Sequence, residues 1–152
     1  MDCRVRTTMQ TQAGITMVEV LVTVLVLSVG LLGLASLQAV ALRNNISGYE
    51  RSQATVMAMD ILDKMRLNRT AARAGNYDVD FDKVPADYTG SGEIDLHLNE
   101  WLTSLENTLP SGDGSIDCTT DTPLCVITVR WNDARSNGAA DSYQTFVVSA
   151  EL

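Results

Sequence analysis

The chain has 152 residues, with 11 Lys and Arg against 19 Asp and Glu, so its formal net charge is −8. This length sets an upper limit of one modest domain. The acidic balance argues against a nucleic-acid-binding protein, because affinity for DNA or RNA is dominated by cations that neutralise phosphates. The mean hydropathy of +0.04 averages two unlike parts, since residues 18–42 are almost wholly apolar and the remainder is polar and acidic.

The amino-terminal segment, residues 1–14, is short and polar and carries Arg4 and Arg6. From residue 15 to residue 42 the chain is apolar, and Glu19 is its only charge. A helix of about 28 residues is ~42 Å long and exceeds the ~30 Å hydrocarbon core, so it can span a bilayer. The basic residues before it place the amino terminus in the cytoplasm and the acidic bulk of the chain outside.

Two ordinary interpretations of this apolar segment compete. A cleavable secretory signal has an apolar region of about 7–15 residues and a small-residue cleavage site, which the Ala-x-Ala pattern at residues 39–41 offers, but this segment is too long. A simple signal anchor fits the length and leaves Glu19 unexplained. A carboxylate at membrane depth costs a few kcal/mol and usually has a partner, so Glu19 indicates a specific role.

Residues 14–19 read Gly-Ile-Thr-Met-Val-Glu and lead directly into the apolar run. This pattern resembles the class III signal of type IV prepilins and pseudopilins, in which a prepilin peptidase cuts after the Gly. The resemblance implies cleavage between Gly14 and Ile15, N-methylation of Ile15, and an assembly role for Glu19. Two positions depart from the family: Ile15 stands where Phe is usual, and Ser36 stands where many major pilins have a kinking Pro, which favours a minor component.

The same resemblance implies how the segment functions in assembly. A lone carboxylate is destabilised in the membrane, and the terminal amine of a neighbouring helix could neutralise it, so Glu19 would set the register between subunits. The apolar stripe through Leu25, Leu32 and Val40 is then expected to carry the packing between helices.

After residue 42 the chain keeps a helical period, and Gly75 is expected to end the helix. The apolar positions of this part predict one stripe that faces a partner: Tyr49, Val56, Met59, Leu62 and Met65. Residues 65–69 read Met-Arg-Leu-Asn-Arg, and an Ala-rich stretch and a Gly-Asn-Tyr triplet at 75–77 follow. This segment resembles the PilV-type minor pilins, also called type IV pilus modification proteins. Arg66, Arg69 and Arg73 either dock a partner or simply form a solvated helix end whose cations favour the helix dipole.

Two acidic stretches follow the helix. Residues 77–82 alternate apolar and acidic side chains, which predicts a half-buried strand at an exposed edge. A calcium loop is the alternative, because Asp78, Asp80 and Asp82 occupy positions 1, 3 and 5 of an EF-hand pattern, although Lys83 replaces the required Gly. Residues 113–117 are predicted to form a turn.

The remaining chain predicts a small mixed domain. Residues 95–109 predict an amphipathic helix that Pro110 ends, with apolar positions Leu98, Trp101, Leu102, Leu105 and Leu109. Two β-rich runs at 126–131 and 143–148 predict an antiparallel pair. The expected fold class is therefore α+β, a long amino-terminal transmembrane and amphipathic helix packed on a small antiparallel sheet domain, as in type IV pilins. The expected segments are the leader 1–14, the transmembrane and assembly helix 15–42, its amphipathic continuation 43–75, and a periplasmic globular domain 76–152.

Cysteine usage agrees with an oxidising compartment. Cys3 lies in the leader, and Cys118 and Cys125 remain as an even pair that predicts a disulfide. Metal binding is the weaker interpretation, because His97 is the only His and the chain has no Cys-x-x-Cys pair. No phosphate-binding loop or nucleophile motif is present, so the sequence predicts no enzyme and no cofactor.

The resemblance implies a minor pilin that helps to initiate or prime type IV pilus assembly in the inner membrane and then joins the extracellular pilus, or fimbrium, in support of twitching motility or adhesion. Its expected partners are other minor pilins, the major pilin, the prepilin peptidase and the inner-membrane assembly platform, with no nucleic acid. The alternatives are a minor pseudopilin of a type II secretion system, a pilus-tip binding module such as an adhesin or DNA receptor, and a periplasmic enzyme on a signal anchor.

Overall fold

The computed structural model describes residues 14–119, 124–134 and 142–152. Within these residues three helices are followed by three strands: α1 Met17–Leu67, α2 Arg69–Arg73, α3 Glu93–Thr108, β1 Asp113–Cys118, β2 Leu124–Asn132 and β3 Tyr143–Glu151. A 3-10 turn covers Pro85–Asp87. A long apolar amino-terminal helix followed by a small antiparallel sheet confirms the predicted α+β class.

The chain divides into two compact units, which meet between Val40 and Ala41, within α1. The first unit contains the apolar part of α1. The second unit, Ala41–Leu152, contains the rest of α1, both shorter helices and the sheet. The hydrophobic core of the protein lies entirely in this second unit.

The sheet has the strand order β1-β2-β3, and both pairs are antiparallel. Strand β2 alternates strictly, with Cys125, Ile127, Val129 and Trp131 buried on the inner face. Such alternation is the sign of a sheet that packs on a core with one face. The predicted antiparallel pair of β-rich runs is confirmed as β2 and β3.

The prediction of a turn over residues 113–117 is wrong, because these residues form β1. Asp and Gly are poor strand formers, but tertiary contacts override their propensity here. Arg130 on β2 lies opposite Asp113 and its Nη2 is 2.7 Å from Asp113 Oδ2. Ile116 supplies the buried apolar side chain that ties this strand to the core.

The second part of α1 buries a different face from the predicted one. Leu62 and Met65 are buried as expected, whereas Tyr49, Val56 and Met59 are exposed by 61%, 63% and 40%. The buried face instead follows a row that includes two alanines: Ala54, Met57, Ala58, Ile61, Leu62 and Met65. Small side chains let a helix approach its neighbours closely, so a search for large apolar residues selects the wrong row.

Helix α3 confirms the predicted amphipathic helix and supplies the centre of the core. All five predicted apolar positions are at most 2% exposed: Leu98, Trp101, Leu102, Leu105 and Leu109. The Trp101 indole Nε1 donates a hydrogen bond of 3.1 Å to the Met57 carbonyl oxygen on α1. This bond fixes α3 against α1 while the indole ring remains buried.

A break separates α1 from α2. Asn68 has non-helical dihedrals, and its carbonyl oxygen accepts hydrogen bonds from the backbone N–H groups of Ala71 and Ala72. Asn is a poor residue for a helix interior, which explains why the helix stops there. Gly75 follows α2 with φ +78°, a left-handed conformation that favours glycine.

Candidate functional site

The first turn of α1 is capped by a side chain that the sequence interpretation did not single out. The Glu19 backbone N–H donates to the Thr16 Oγ1 at 3.3 Å, and the Thr16 carbonyl oxygen also accepts from Glu19 and Val20. Thr followed three residues later by Glu is the pattern of a capping box, so the signal was present in the sequence. Thr16 therefore fixes the helix start two residues after Gly14.

Gly14 and Ile15 lie immediately before this capped turn and are exposed. Apart from its neighbours along the chain, no heavy atom of the described residues would lie within 4 Å of a Cβ atom at Gly14. Residues 1–13 of the expected leader, including Cys3, lie outside the described residues. On the described side of the predicted cleavage point, Gly14 and Ile15 are thus exposed, non-helical residues that directly precede the helix.

Glu19 lies in the first turn of α1 and its side chain is exposed. A carboxylate in the first turn is favoured by the positive end of the helix dipole. Within the described part of the chain, no Lys, Arg or His lies within ion-pair distance of it. Among the described residues, Glu19 therefore interacts favourably with the helix dipole but with no cationic side chain.

The helix after Glu19 is apolar around its whole circumference. It contains an 18-residue window with mean hydropathy 2.6 in which no residue is buried within the chain, so α1 is long and apolar enough to cross a membrane. The residues of the expected packing stripe are exposed like the rest, with Leu25, Leu32 and Val40 at 66%, 72% and 51%. A helix apolar on all sides must be covered by lipid or by other helices.

Two hydroxyl groups within this apolar stretch are satisfied by the helix itself. The Thr23 hydroxyl donates to the Val20 carbonyl oxygen at 2.8 Å, and the Ser28 hydroxyl donates to the Val24 carbonyl oxygen at 2.6 Å. Such bonds to the preceding turn remove the cost of placing a hydroxyl in hydrocarbon. Glu19 thus differs from Thr23 and Ser28, because its carboxylate has no such bond in the described helix.

Two of the basic residues at the end of α1 and in α2, Arg66 and Arg73, have partners within the described chain. Arg66 pairs with Asp63 at 2.9 Å, and the Arg73 Nε donates to the Leu152 carbonyl oxygen. These contacts favour the interpretation of Arg66 and Arg73 as structural cations at a helix end.

The predicted disulfide between Cys118 and Cys125 is present and joins directly opposed positions of β1 and β2. Their Cα atoms are 4.1 Å apart, and both residues are buried. The bond closes the connection between the two strands of this hairpin. It is therefore a structural element of the sheet, on the core side.

We expect removal of this disulfide to weaken the globular unit. The double variant Cys118→Ala/Cys125→Ala should lower the free energy of unfolding by ~2–3 kcal/mol, since the bond closes a loop of about eight residues. Urea unfolding of the full chain in detergent measures the change. A reductant should lower the stability of the native protein to the value of the variant and leave the variant unaffected; equal stability of both proteins without reductant would contradict the prediction.

The acidic segment at residues 77–82 lies beside the outer edge of β1 and does not form a full strand. Tyr77 and Val79 are buried and Asp78 and Asp80 are exposed, as the alternation predicted, but only Val79 forms a bridge, to Ile116. The Cys118 backbone N–H donates to Asp78 Oδ1 at 3.0 Å. Among the residues that the structure describes, no group of three His, Cys, Asp or Glu side chains could hold a metal ion.

Partial burial of the Asp78 carboxyl group raises its pKa above 3.8, the nearby charges of Asp117 and Asp80 add to this, and the Cys118 N–H opposes it. A carboxyl group with a raised folded-state pKa contributes most stability when protonated, and that contribution is lost as the pH rises through the raised value. The Asp78→Asn variant keeps the acceptor oxygen but cannot ionise. We therefore expect the free energy of unfolding of this variant, relative to that of the native protein, to increase as the pH rises above 3.8. Melting temperatures from pH 3.5 to 7 measure this, and a constant difference would contradict it.

A family model described as the prokaryotic N-terminal methylation motif matches residues 9–35. No curated protein and no solved structure matches the chain. The matched segment contains Gly14, Ile15, the capped turn at Thr16 and Glu19, together with the first part of the apolar helix. The motif and the α+β fold together indicate that the chain is a type IV pilin-like or pseudopilin protein with a prepilin-type amino terminus.

Proposed function

We propose that this protein is a PilV-like minor pilin that helps to initiate or prime type IV pilus assembly and is then incorporated into the pilus. The observation that carries the proposal is the methylation motif at residues 9–35, which begins an apolar helix whose only charged side chain before Arg43 is Glu19. In this proposal the prepilin peptidase cleaves after Gly14 and the new amino group of Ile15 is methylated.

The geometry of the first turn supports an electrostatic role for Glu19. Thr16 holds the helix start immediately after Ile15, so in the processed chain a positive amine and the Glu19 carboxylate belong to the same capped turn. A carboxylate in an apolar environment gains most from a cation that is also removed from water. The amine of a neighbouring subunit can supply that cation, and only one relative position of the two helices brings the groups together.

The apolar surface of α1 supports storage in the membrane before assembly. Residues 15–42 are exposed within the chain and can be covered by lipid in the inner membrane, with the globular unit on the periplasmic side. Transfer into a pilus exchanges these lipid contacts for helix contacts with other minor pilins and the major pilin, at the inner-membrane assembly platform. The protein would then support twitching motility or adhesion as part of the extracellular pilus.

A genetic test uses the full chain in the organism that encodes it. We expect deletion of the gene to reduce the number of surface pili and the twitching zone, the native chain to restore both, and Glu19→Gln to fail. Thr23→Val is the matched control, because the Thr23 hydroxyl bonds only to its own helix and its loss should leave assembly intact. Protein levels in the membrane fraction show whether each variant is stable.

The same strains distinguish the rival functions. Normal pili together with a loss of secreted exoproteins would overturn the proposal in favour of a type II pseudopilin. Normal pilus number with loss of surface or DNA attachment would favour a tip binding module. Full function of the Glu19→Gln chain would contradict the role of Glu19 in assembly.

A further inference from the structure

A groove opens in the globular unit beside the part of α1 that follows the apolar run. Its volume is about 390 Å³, which is within the range of small-ligand sites, and its described lining residues all belong to the second compact unit. Helix α1 forms one wall, and the end of α3 with the turn after it forms the other. The described lining residues are Leu42, Asn45, Ile46, Tyr49 and Glu50 on the first wall, and Thr108 and Pro110 on the second.

The groove begins where the apolar run of α1 ends. As a helix, residues 15–42 are ~42 Å long, which exceeds the ~30 Å hydrocarbon core and matches the ~40–45 Å of a bilayer with its headgroups. Leu42, the last residue of this run, is also the first lining residue of the groove. Ile46 follows ~6 Å further along the helix. When α1 spans the membrane, the groove therefore opens at the level of the outer headgroups.

The apolar side of the groove suits the upper part of a phospholipid. Leu42, Ile46 and Tyr49 are spaced four and three residues apart, so they form one stripe on α1, and all three are exposed. A Tyr ring is amphipathic and favours the boundary between hydrocarbon and water. The stripe thus changes from aliphatic to amphipathic with distance from the membrane, as a phospholipid does from its acyl chains to its glycerol group.

The charges beside the groove follow the order of a zwitterionic headgroup. Arg43 is exposed, and it is the only charged residue between Glu19 and Glu50. Among the described residues, no carboxylate lies within ion-pair distance of Arg43. Glu50 follows Arg43 by seven residues, which is about two turns and the same face of the helix, and it is 4% exposed. A cation nearest the membrane followed by an anion is complementary to a phosphate followed by an ammonium group.

We propose that this groove binds one phosphatidylethanolamine molecule of the outer leaflet while α1 spans the inner membrane. The Arg43 guanidinium binds the phosphate, for which its planar fork is well suited. The Glu50 carboxylate accepts a hydrogen bond from the ammonium group, and Ile46 and Tyr49 contact the glycerol and the first part of the acyl chains. This inference rests on the membrane insertion of α1 in the proposed function, and it does not depend on pilus assembly.

The test is native mass spectrometry of the full chain in detergent, with added phosphatidylethanolamine or phosphatidylglycerol of identical acyl chains. Both lipids carry the phosphate, but only phosphatidylethanolamine offers a cation to Glu50. We expect one bound phosphatidylethanolamine per chain and an affinity about tenfold above that for phosphatidylglycerol, as for one hydrogen bond between charged groups. Equal affinities for the two lipids would overturn the proposal.

Two pairs of variants locate the lipid. Thr108→Trp places a large ring in the groove and should lower the affinity for phosphatidylethanolamine about tenfold. Asn107→Trp is its matched control, because Asn107 is exposed, adjacent in sequence and outside the described lining. Arg43→Gln should lower the affinity for both lipids by a similar factor, whereas Arg51→Gln, eight residues further along α1, should leave both unchanged. The intact Cys118–Cys125 bond shows that each variant has folded.

Alkaline carbonate extraction of native membranes separates the failure of this inference from the failure of the proposed function. If the chain stays in the membrane pellet but Thr108→Trp binds phosphatidylethanolamine as tightly as Asn107→Trp, the lipid site is overturned and the proposed pilin remains. If Arg51→Gln weakens binding as much as Arg43→Gln, the assigned phosphate contact is overturned. If carbonate releases the native chain, the membrane-spanning helix is overturned, and both proposals fail with it.

Discussion

Trp101→Ala is expected to lower the free energy of unfolding of the globular unit by about 3–5 kcal/mol, the range for large aromatic side chains removed from a core. Trp101 is 1% exposed and packs in the core with Leu98, Leu102 and Leu105 of the same helix. The variant leaves a cavity and also removes the hydrogen bond from the indole to the Met57 carbonyl oxygen. Both losses act on the contact between α3 and α1.

Urea unfolding of the full chain in detergent, followed by the fluorescence of the remaining Trp131, measures this change. Leu96→Ala is the matched control on the same helix, because Leu96 is 55% exposed and should cost less than about 1 kcal/mol. A Trp101→Ala variant as stable as the Leu96→Ala variant would show that the described core is incorrect.

Gly114→Ala is expected to destabilise the same contact from the opposite side by about 1–3 kcal/mol. A Cβ atom at Gly114 would lie 2.4 Å from Trp101 Cη2 and 2.9 Å from Leu105 Cδ1, which is too close for either buried side chain. The glycine therefore allows β1 to lie directly against the indole ring. Since the ring is enclosed by the core, the added methyl group must displace the strand or the helix.

A double-mutant cycle identifies the cause of that effect. Trp101→Phe removes the ring atoms that clash with the added methyl group, so the combined variant should be more stable than the sum of the two single changes predicts, by about 1 kcal/mol. Gly48→Ala is the control for glycine replacement: it lies within α1 with no heavy atom near its Cβ position, and should be neutral or stabilising by up to about 1 kcal/mol. Strict additivity would contradict the contact.

The sequence predicted those helices and strands in which the spacing of the large apolar residues matches the face that is buried. Helix α3 keeps its large apolar residues on one face, and β2 alternates strictly, so both could be found from the sequence. Strand β1 could not, because Asp113 and Gly114 have turn propensity and become a strand only through Arg130, Trp101 and the pairing with β2. The buried face of α1 was missed because Ala54 and Ala58 carry little signal in a search for large apolar side chains.

The candidate site could be predicted from the sequence more fully than the fold, because its functional residues lie within six consecutive positions. Gly14, Ile15 and Glu19 could be selected because their order and the apolar run are local features, and the motif match covers them. Thr16 was missed although its pattern with Glu19 is that of a capping box.

The most direct test of the central claim is the intact mass and amino-terminal sequence of the membrane-extracted protein, from cells with and without the prepilin peptidase. We expect a chain that begins with N-methylated Ile15 when the peptidase is present, and an unprocessed chain that retains residues 1–14 when it is absent. A chain that begins at Leu42, or that keeps Met1 in both strains, would contradict the account and leave the helix as an ordinary secretion signal or anchor.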